Sequence, residues 1–123
     1  MTENEISKII LDCAFKVHTT IGPGLLESVY RECLTYELRK AGLIVEQEKP
    51  LPLIYEEVRL ECGFRIDILV ENKVVIELKT VEAFNDVHIA QTLTYMKLSG
   101  CQLGLLLNFY TKSLKDGIKR LIL

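Results

Sequence analysis

No stretch of the 123-residue chain is apolar for long enough to cross a bilayer. The longest apolar runs, such as Leu103 to Leu107, fall far short of the ~18–20 residues that a spanning helix needs. The amino terminus lacks the marks of a secretory signal, because Met1 to Glu5 is acidic and no small-residue cleavage site follows an apolar run. Cysteine is sparse. Cys13, Cys33, Cys62 and Cys101 are widely scattered, with no C-x-x-C pair and no histidine pattern of zinc-ligand spacing. Each lies in an apolar context, so all four read as buried free thiols. Repeats, low-complexity tracts and linkers are absent, as is an aromatic platform for stacking single strands. These absences lead us to expect a cytoplasmic protein without a membrane span, folded as a single domain over residues 1–123.

What is present is enough for a core: 49% of residues are hydrophobic and 26% charged, which excludes a disordered tail. The net charge of −2 gives no global attraction for nucleic acid, but its distribution is uneven. Residues 1–62 hold seven Lys/Arg against eleven Asp/Glu, whereas residues 63–123 hold eight against six. In the second part Lys112, Lys115, Lys119 and Arg120 outweigh Asp116, a cluster that can meet phosphates or serve as solvated surface.

Apolar residues Ile6, Ile10, Cys13 and Val17 recur at helical spacing, and Gly22-Pro23-Gly24 stops that helix near Ile21. A second helix is predicted from about Leu26 to Ala41, ending at Gly42. The period then shortens. Leu43 to Glu48, Leu53 to Tyr55, Val58 to Cys62, Phe64 to Val70 and Val74 to Lys79 read as strands, with Pro50 and Pro52 pointing to an edge or an irregular entry and Glu56-Glu57 to a turn. A helix follows over Val87 to Ser99, capped by Asn85 or Asp86 and ended by Gly100. Leu103 to Phe109 reads as a buried strand and Gly117 to Leu123 as a final one. The order implies an α/β fold, a mixed β-sheet flanked by helices.

Alternation in the strands places charges where burial opposes them. In Val74 to Lys79, Val75, Glu77 and Lys79 point one way and Val74, Ile76 and Leu78 the other. Asp67 interrupts Phe64 to Val70 in the same manner. Two carboxylates and an ammonium at the margin of an apolar sheet have two physical explanations. One is a structural ion pair, which is a poor way to strengthen a core. The other is a hard cation such as magnesium, held through carboxylate oxygens with waters and phosphate completing its shell.

The spacing D-x9-E-x-K over Asp67, Glu77 and Lys79 resembles the signature of the PD-(D/E)XK nuclease superfamily. Gly24-Leu25-Leu26-Glu27-Ser28-Val29-Tyr30 is similar to the G-x-x-E-x-x-Y motif that names a small bacterial and archaeal family within it. Phe64 to Val70, Val75 to Lys79, Gln91 to Met96 and Gly104 to Phe109 extend the resemblance from about His18 to the end of the chain. The resemblance implies a restriction-endonuclease-like core and a nuclease cleaving phosphodiester bonds of DNA or RNA with Mg2+ or Mn2+. It implies that Asp67, Glu77 and Lys79 are catalytic, with Glu27, Asp67 and Glu77 as metal ligands. Gln91 and Tyr95 then line the substrate side, and His88, Gln91 and Tyr95 share a helical face by spacing alone. Tyr30 either orients Glu27 or is a core tyrosine with a satisfied hydroxyl. His18 reads as a helix-end contact outside the metal set, and Glu48 stands where the resemblance leads us to expect glutamine. Nucleic acid is the expected partner, and a homo-oligomer or larger complex would enlarge the substrate surface. The rival readings are a catalytically silent binding module of the same fold and a nuclease subunit active only in a complex.

Overall fold

The first helix, α1 (Glu3–Ile21), begins where Thr2 and Glu5 cap each other's backbone N–H groups. It therefore starts three residues before the apolar periodicity shows it, because a capping box is built from polar residues. This computed structural model describes all 123 residues. Gly22, at φ 70°, ends α1 and returns its N–H to the His18 carbonyl. After the Gly-Pro-Gly turn, α2 spans Glu27–Lys40.

Where short strands are expected, two long ones form. Strand β1 (Val45–Tyr55) pairs antiparallel with β2 (Val58–Val70) around the Glu56-Glu57 turn. Pro50 and Pro52 interrupt the sequence pattern but not the strand, because β1 lies at the sheet edge and needs N–H donors on one side only. The register shifts between Leu51 and Leu53, where Gly63 takes φ 76° on the facing strand.

A tight turn with Glu71 and Asn72 at positive φ leads into β3 (Val74–Lys79). The helix α3 (Asp86–Ser99), capped by Asn85 and ended by Gly100, crosses to β4 (Leu103–Asn108), which lies parallel to β3. A 3-10 turn (Leu114–Gly117) then leads to β5 (Ile118–Ile122). The sheet order is β1-β2-β3-β4-β5, and every pairing except β3–β4 is antiparallel. The β2–β3 ladder covers only Ile68 to Val70, so most of the β1–β2 hairpin continues past the sheet as a two-stranded ribbon.

Helices α1 and α2 cover one face, packing Ile6, Ile10, Leu34 and Leu38 on Ile68, Ile76, Leu105 and Leu107. Helix α3 covers the other, where Met96 packs with Leu69, Val75 and Leu106. Gly104 allows that approach, since a Cβ there would stand 2.6 Å from Met96 Sδ. The result is the expected α/β fold, a mixed sheet between helical layers. No helix is long and apolar enough to cross a membrane.

The thiols depart from expectation. Only Cys101 is buried, Cys13 and Cys33 are half-buried, and Cys62 is exposed on the ribbon beyond the core. All four are free. Burial pushes the Cys13 thiol up, with Glu37 and Asp12 adding to the shift. Mass-resolved alkylation of the native protein is expected to modify Cys62 first and Cys101 only on unfolding. Equal rates at the two positions would contradict this packing.

Candidate active site

The β2–β3 ladder runs Val70↔Val74, Leu69↔Val75, Ile68↔Ile76 and then stops. Its next pair would be Asp67 with Glu77. There the strands part, and their backbone N–H groups need new acceptors. Leu78 N–H donates to Asp67 Oδ2 at 2.8 Å, and Asp67 N–H donates to Glu77 Oε1 at 3.2 Å. Each carboxylate thus holds the opposite strand. The β1 side is interrupted at the same level, since Gln47↔Ile68 and Lys49↔Ile66 pair while Glu48 lies between them at φ 47°.

Burial makes this exchange electrostatically tense. Glu77 is 5% exposed, and its carboxyl is pushed up to about 9, first by burial and then by the charge of Asp67. A hydrogen bond between the two carboxyls adds to the rise, while the Asp67 N–H and the Lys79 ammonium oppose it. Glu27, the first residue of α2, is also raised by burial and then by Asp67, with Lys79 and Arg31 pulling it down. Tyr95 on α3 is raised by burial and then by Glu77 and Asp67. One electrostatic neighbourhood therefore joins Glu27, Asp67, Glu77, Lys79 and Tyr95, drawn from α2, β2, β3 and α3.

Fixed contacts position these groups. Tyr30 is fully buried and stacked on Phe109 at 4.5 Å. Its hydroxyl donates to the Gly22 carbonyl at 2.6 Å and accepts from Leu25 N–H at 3.1 Å. It closes the turn that launches Glu27 and does not bond the Glu27 carboxylate. His18 is buried, and its Nε2 meets the Thr111 carbonyl at 2.8 Å, a contact at the end of α1. Lys79 pairs in register with Asn108. The buried Asn108 amide donates to Val81 O at 2.7 Å and accepts from the N–H groups of Val81 and Tyr110. Asn108 thereby clamps the segment leaving Lys79. Sequence reasoning missed it, although an asparagine ending an apolar strand was the available signal.

Other predicted residues lie further out. Gln91 is exposed one turn before Tyr95, and His88 is engaged in capping with Asn85. Lys112 lines an open groove of about 590 Å³ with Pro23, Glu82 and Tyr110, while Lys115 is exposed on the 3-10 turn. Lys119 faces Leu106, which faces Glu77, so it shares a cross-strand row with the carboxylates. Arg120 does not join them. Strand alternation turns it toward α1, where its guanidinium donates to Ser7 Oγ at 3.1 Å and to Asn4 Oδ1. A cavity of about 300 Å³ between α1 and α2 contains none of these acids.

The donor set at the parted strands suits a hard divalent cation: two adjacent carboxyls in a buried setting, with the Asp67 N–H and the Lys79 ammonium offsetting part of their repulsion. Leu78 turns its N–H toward Asp67, and in an extended chain its carbonyl faces the same edge. Glu27, expected as a third ligand, is coupled to Asp67 through its charge, and no three His, Cys, Asp or Glu side chains are drawn together into a ready-made ion cage.

Two outcomes are expected. Glu77 ionises near pH 9 in the fold, against about 4.5 in an unperturbed chain. Between these values the fold keeps a proton that the unfolded chain has released. Without divalent cation, stability is therefore fully present below about 4.5 and falls as pH rises toward about 9. Glu77→Gln should flatten that slope and add ~1–3 kcal/mol at mildly alkaline pH by removing a poorly solvated acid. Denaturant unfolding across pH measures both, and identical slopes would refute the burial of this charge. Tyr30→Phe should lose ~1–3 kcal/mol by leaving Gly22 O and Leu25 N–H unpaired. An unchanged melting temperature would show that the hydroxyl does not hold the turn.

Neither a comparison with curated proteins nor one with solved structures gives a match. A family model described as the PD-(D/E)XK nuclease superfamily matches residues 4–121, nearly the whole chain and every element that meets at the parted strands. The chain belongs to the PD-(D/E)XK nuclease superfamily, and its α/β architecture is the restriction-endonuclease-like fold.

Proposed function

We propose that this protein is a magnesium- or manganese-dependent nuclease that hydrolyses phosphodiester bonds of DNA or RNA at Asp67, Glu77 and Lys79. Superfamily membership supports nuclease activity, and PD-(D/E)XK nucleases generally use divalent metal ions. The observation that carries the site is the exchange of hydrogen bonds between Asp67 and β3 where the ladder ends, beside Lys79.

Asp67 and Glu77 would hold the cation, with the main-chain carbonyl of Leu78 at the same edge. When bound, such an ion supplies Lewis acidity toward a phosphate oxygen and lowers the pKa of water. Lys79 follows Glu77 by two residues and so shares its face. Its ammonium is a point charge that orients the attacking water or offsets charge on the phosphate as the bond breaks. Glu27, at the start of α2, feels the charges of both Asp67 and Lys79. Tyr95 closes the α3 side, with Gln91 one turn further out on the substrate side. Lys112, Lys115 and Lys119 are exposed and available to the strand backbone, whereas Arg120 is already bonded to α1.

The test is thermal unfolding with and without magnesium or manganese, run beside a cleavage screen over single-stranded, duplex and branched DNA and RNA. A ligand that binds only the folded state adds RT ln(1 + [L]/Kd), about 2.7 kcal/mol at 100 times Kd. Wild type should show a metal-dependent rise in melting temperature. Asp67→Asn should abolish that rise, since it removes charge while still accepting from Leu78 N–H. Lys79→Ala should keep the rise and lose cleavage, by ~10²-fold or more, as for removal of one group that stabilises transition-state charge. Equal metal shifts in wild type and Asp67→Asn would place the cation elsewhere and overturn the site.

A further inference from the structure

Arg31 lies on α2 one turn after Glu27, on the same helical face. Its side chain is only 16% exposed, and its Nε is buried without a hydrogen-bond partner. The nearest anion is Glu48, at 3.7 Å, too long for a hydrogen bond. Glu48 occupies the irregular point of β1 that faces Asp67, held at φ 47°. Glu27 also feels the Arg31 charge. A planar fork of donors thus makes no hydrogen bond, with Glu48 at ion-pair distance and Glu27 one helical turn before it.

Nε is too deep for an incoming anion to reach, so the donors open to one are the terminal nitrogens, which make no hydrogen bond in the fold. At this depth a guanidinium keeps its charge, whereas the more strongly hydrated ammonium of lysine would be disfavoured. What the fork offers in addition is planar, two-point recognition of an anion of matching shape. A phosphate has that shape. We infer that Arg31 is a substrate-binding residue that takes a backbone phosphate of the nucleic acid, with Glu48 as its partner until the strand arrives. This rests on the nuclease reading above and adds to it a contact from α2.

The experiment is fluorescence anisotropy of labelled single-stranded and duplex DNA and RNA across a salt series, with calcium replacing magnesium. Gels verify that the probe stays intact, and melting temperatures establish that each variant is folded. Arg31→Ala should weaken binding ~10-fold and reduce the slope of log Kd against log salt by ~0.7–0.9, the loss of one phosphate contact. Arg31→Lys should keep the salt slope yet bind several-fold more weakly, because the charge remains and the fork does not. Glu48→Gln should bind several-fold more tightly, since a competing carboxylate is gone. Wild-type binding together with unchanged affinity and slope in Arg31→Ala overturns the inference while leaving the nuclease reading intact. So does Arg31→Lys equal to wild type, which would make Arg31 a neutralising charge only. Weaker binding by Glu48→Gln would likewise overturn it, by showing that the pair acts through local structure. Failure of wild type to bind any probe removes the nuclease reading and this contact together, whatever the metal-dependent melting shows.

Discussion

Where two β-strands separate inside a protein, their facing N–H groups must find other acceptors, and here the acceptors are carboxylates. Asp67 takes the N–H of Leu78, and Glu77 takes the N–H of Asp67. This exchange keeps the opening between β2 and β3 at a defined width and fixes both acids through the backbone rather than through flexible surface contacts. The rest of the arrangement is built toward that opening. Helix α2 starts with Glu27 beside it, α3 brings Tyr95 across it, and Asn108 clamps the chain as it leaves Lys79. A site whose proposed ligands are also structural acceptors is preorganised, because the groups need little rearrangement to present their remaining lone pairs.

The same interaction conflicts with burial. Nearly every neighbour on β3 and β4 is apolar and inaccessible, so a second negative charge beside Asp67 is poorly solvated. Buried charge of this kind adds little to stability and is retained at functional positions. Its resolution by proton or by cation makes the protonation state of Glu77 and occupancy by metal alternative answers to one problem. This competition ties the fold's energetics to the proposed chemistry more closely than any shape argument does.

Much of this was legible in the sequence, for reasons that can be named. Asp67, Glu77 and Lys79 stood out because period-2 alternation turns a charge in an apolar strand into an anomaly, and the strands themselves were clear. The long β1–β2 hairpin was less visible, since Pro50, Pro52 and Gly63 mimic strand ends when the edge position that tolerates them is unknown. Buried thiols were expected from apolar neighbours, yet Cys62 lies on the ribbon, where neighbours in sequence do not imply a second layer. Basic residues adjacent in sequence separated in space, because alternation sends Lys119 and Arg120 to opposite faces of β5. Asn108 and Arg31 were not singled out at all. Their partners lie 17 or more positions away, Glu48 for Arg31 and Val81 for Asn108, and only the fold brings them together.

The ribbon formed by the distal halves of β1 and β2 is a cantilever. Beyond the point where β3 ends it has no third strand, and a two-stranded hairpin alone is at most marginally stable in water. Tyr55 and Val58, paired at its tip, are both more than half exposed. Its root is the segment that contains Asp67 and, on the facing strand, Glu48. The arm and the acids are continuous in the backbone, since the strand that carries Asp67 is the one that runs to the exposed tip.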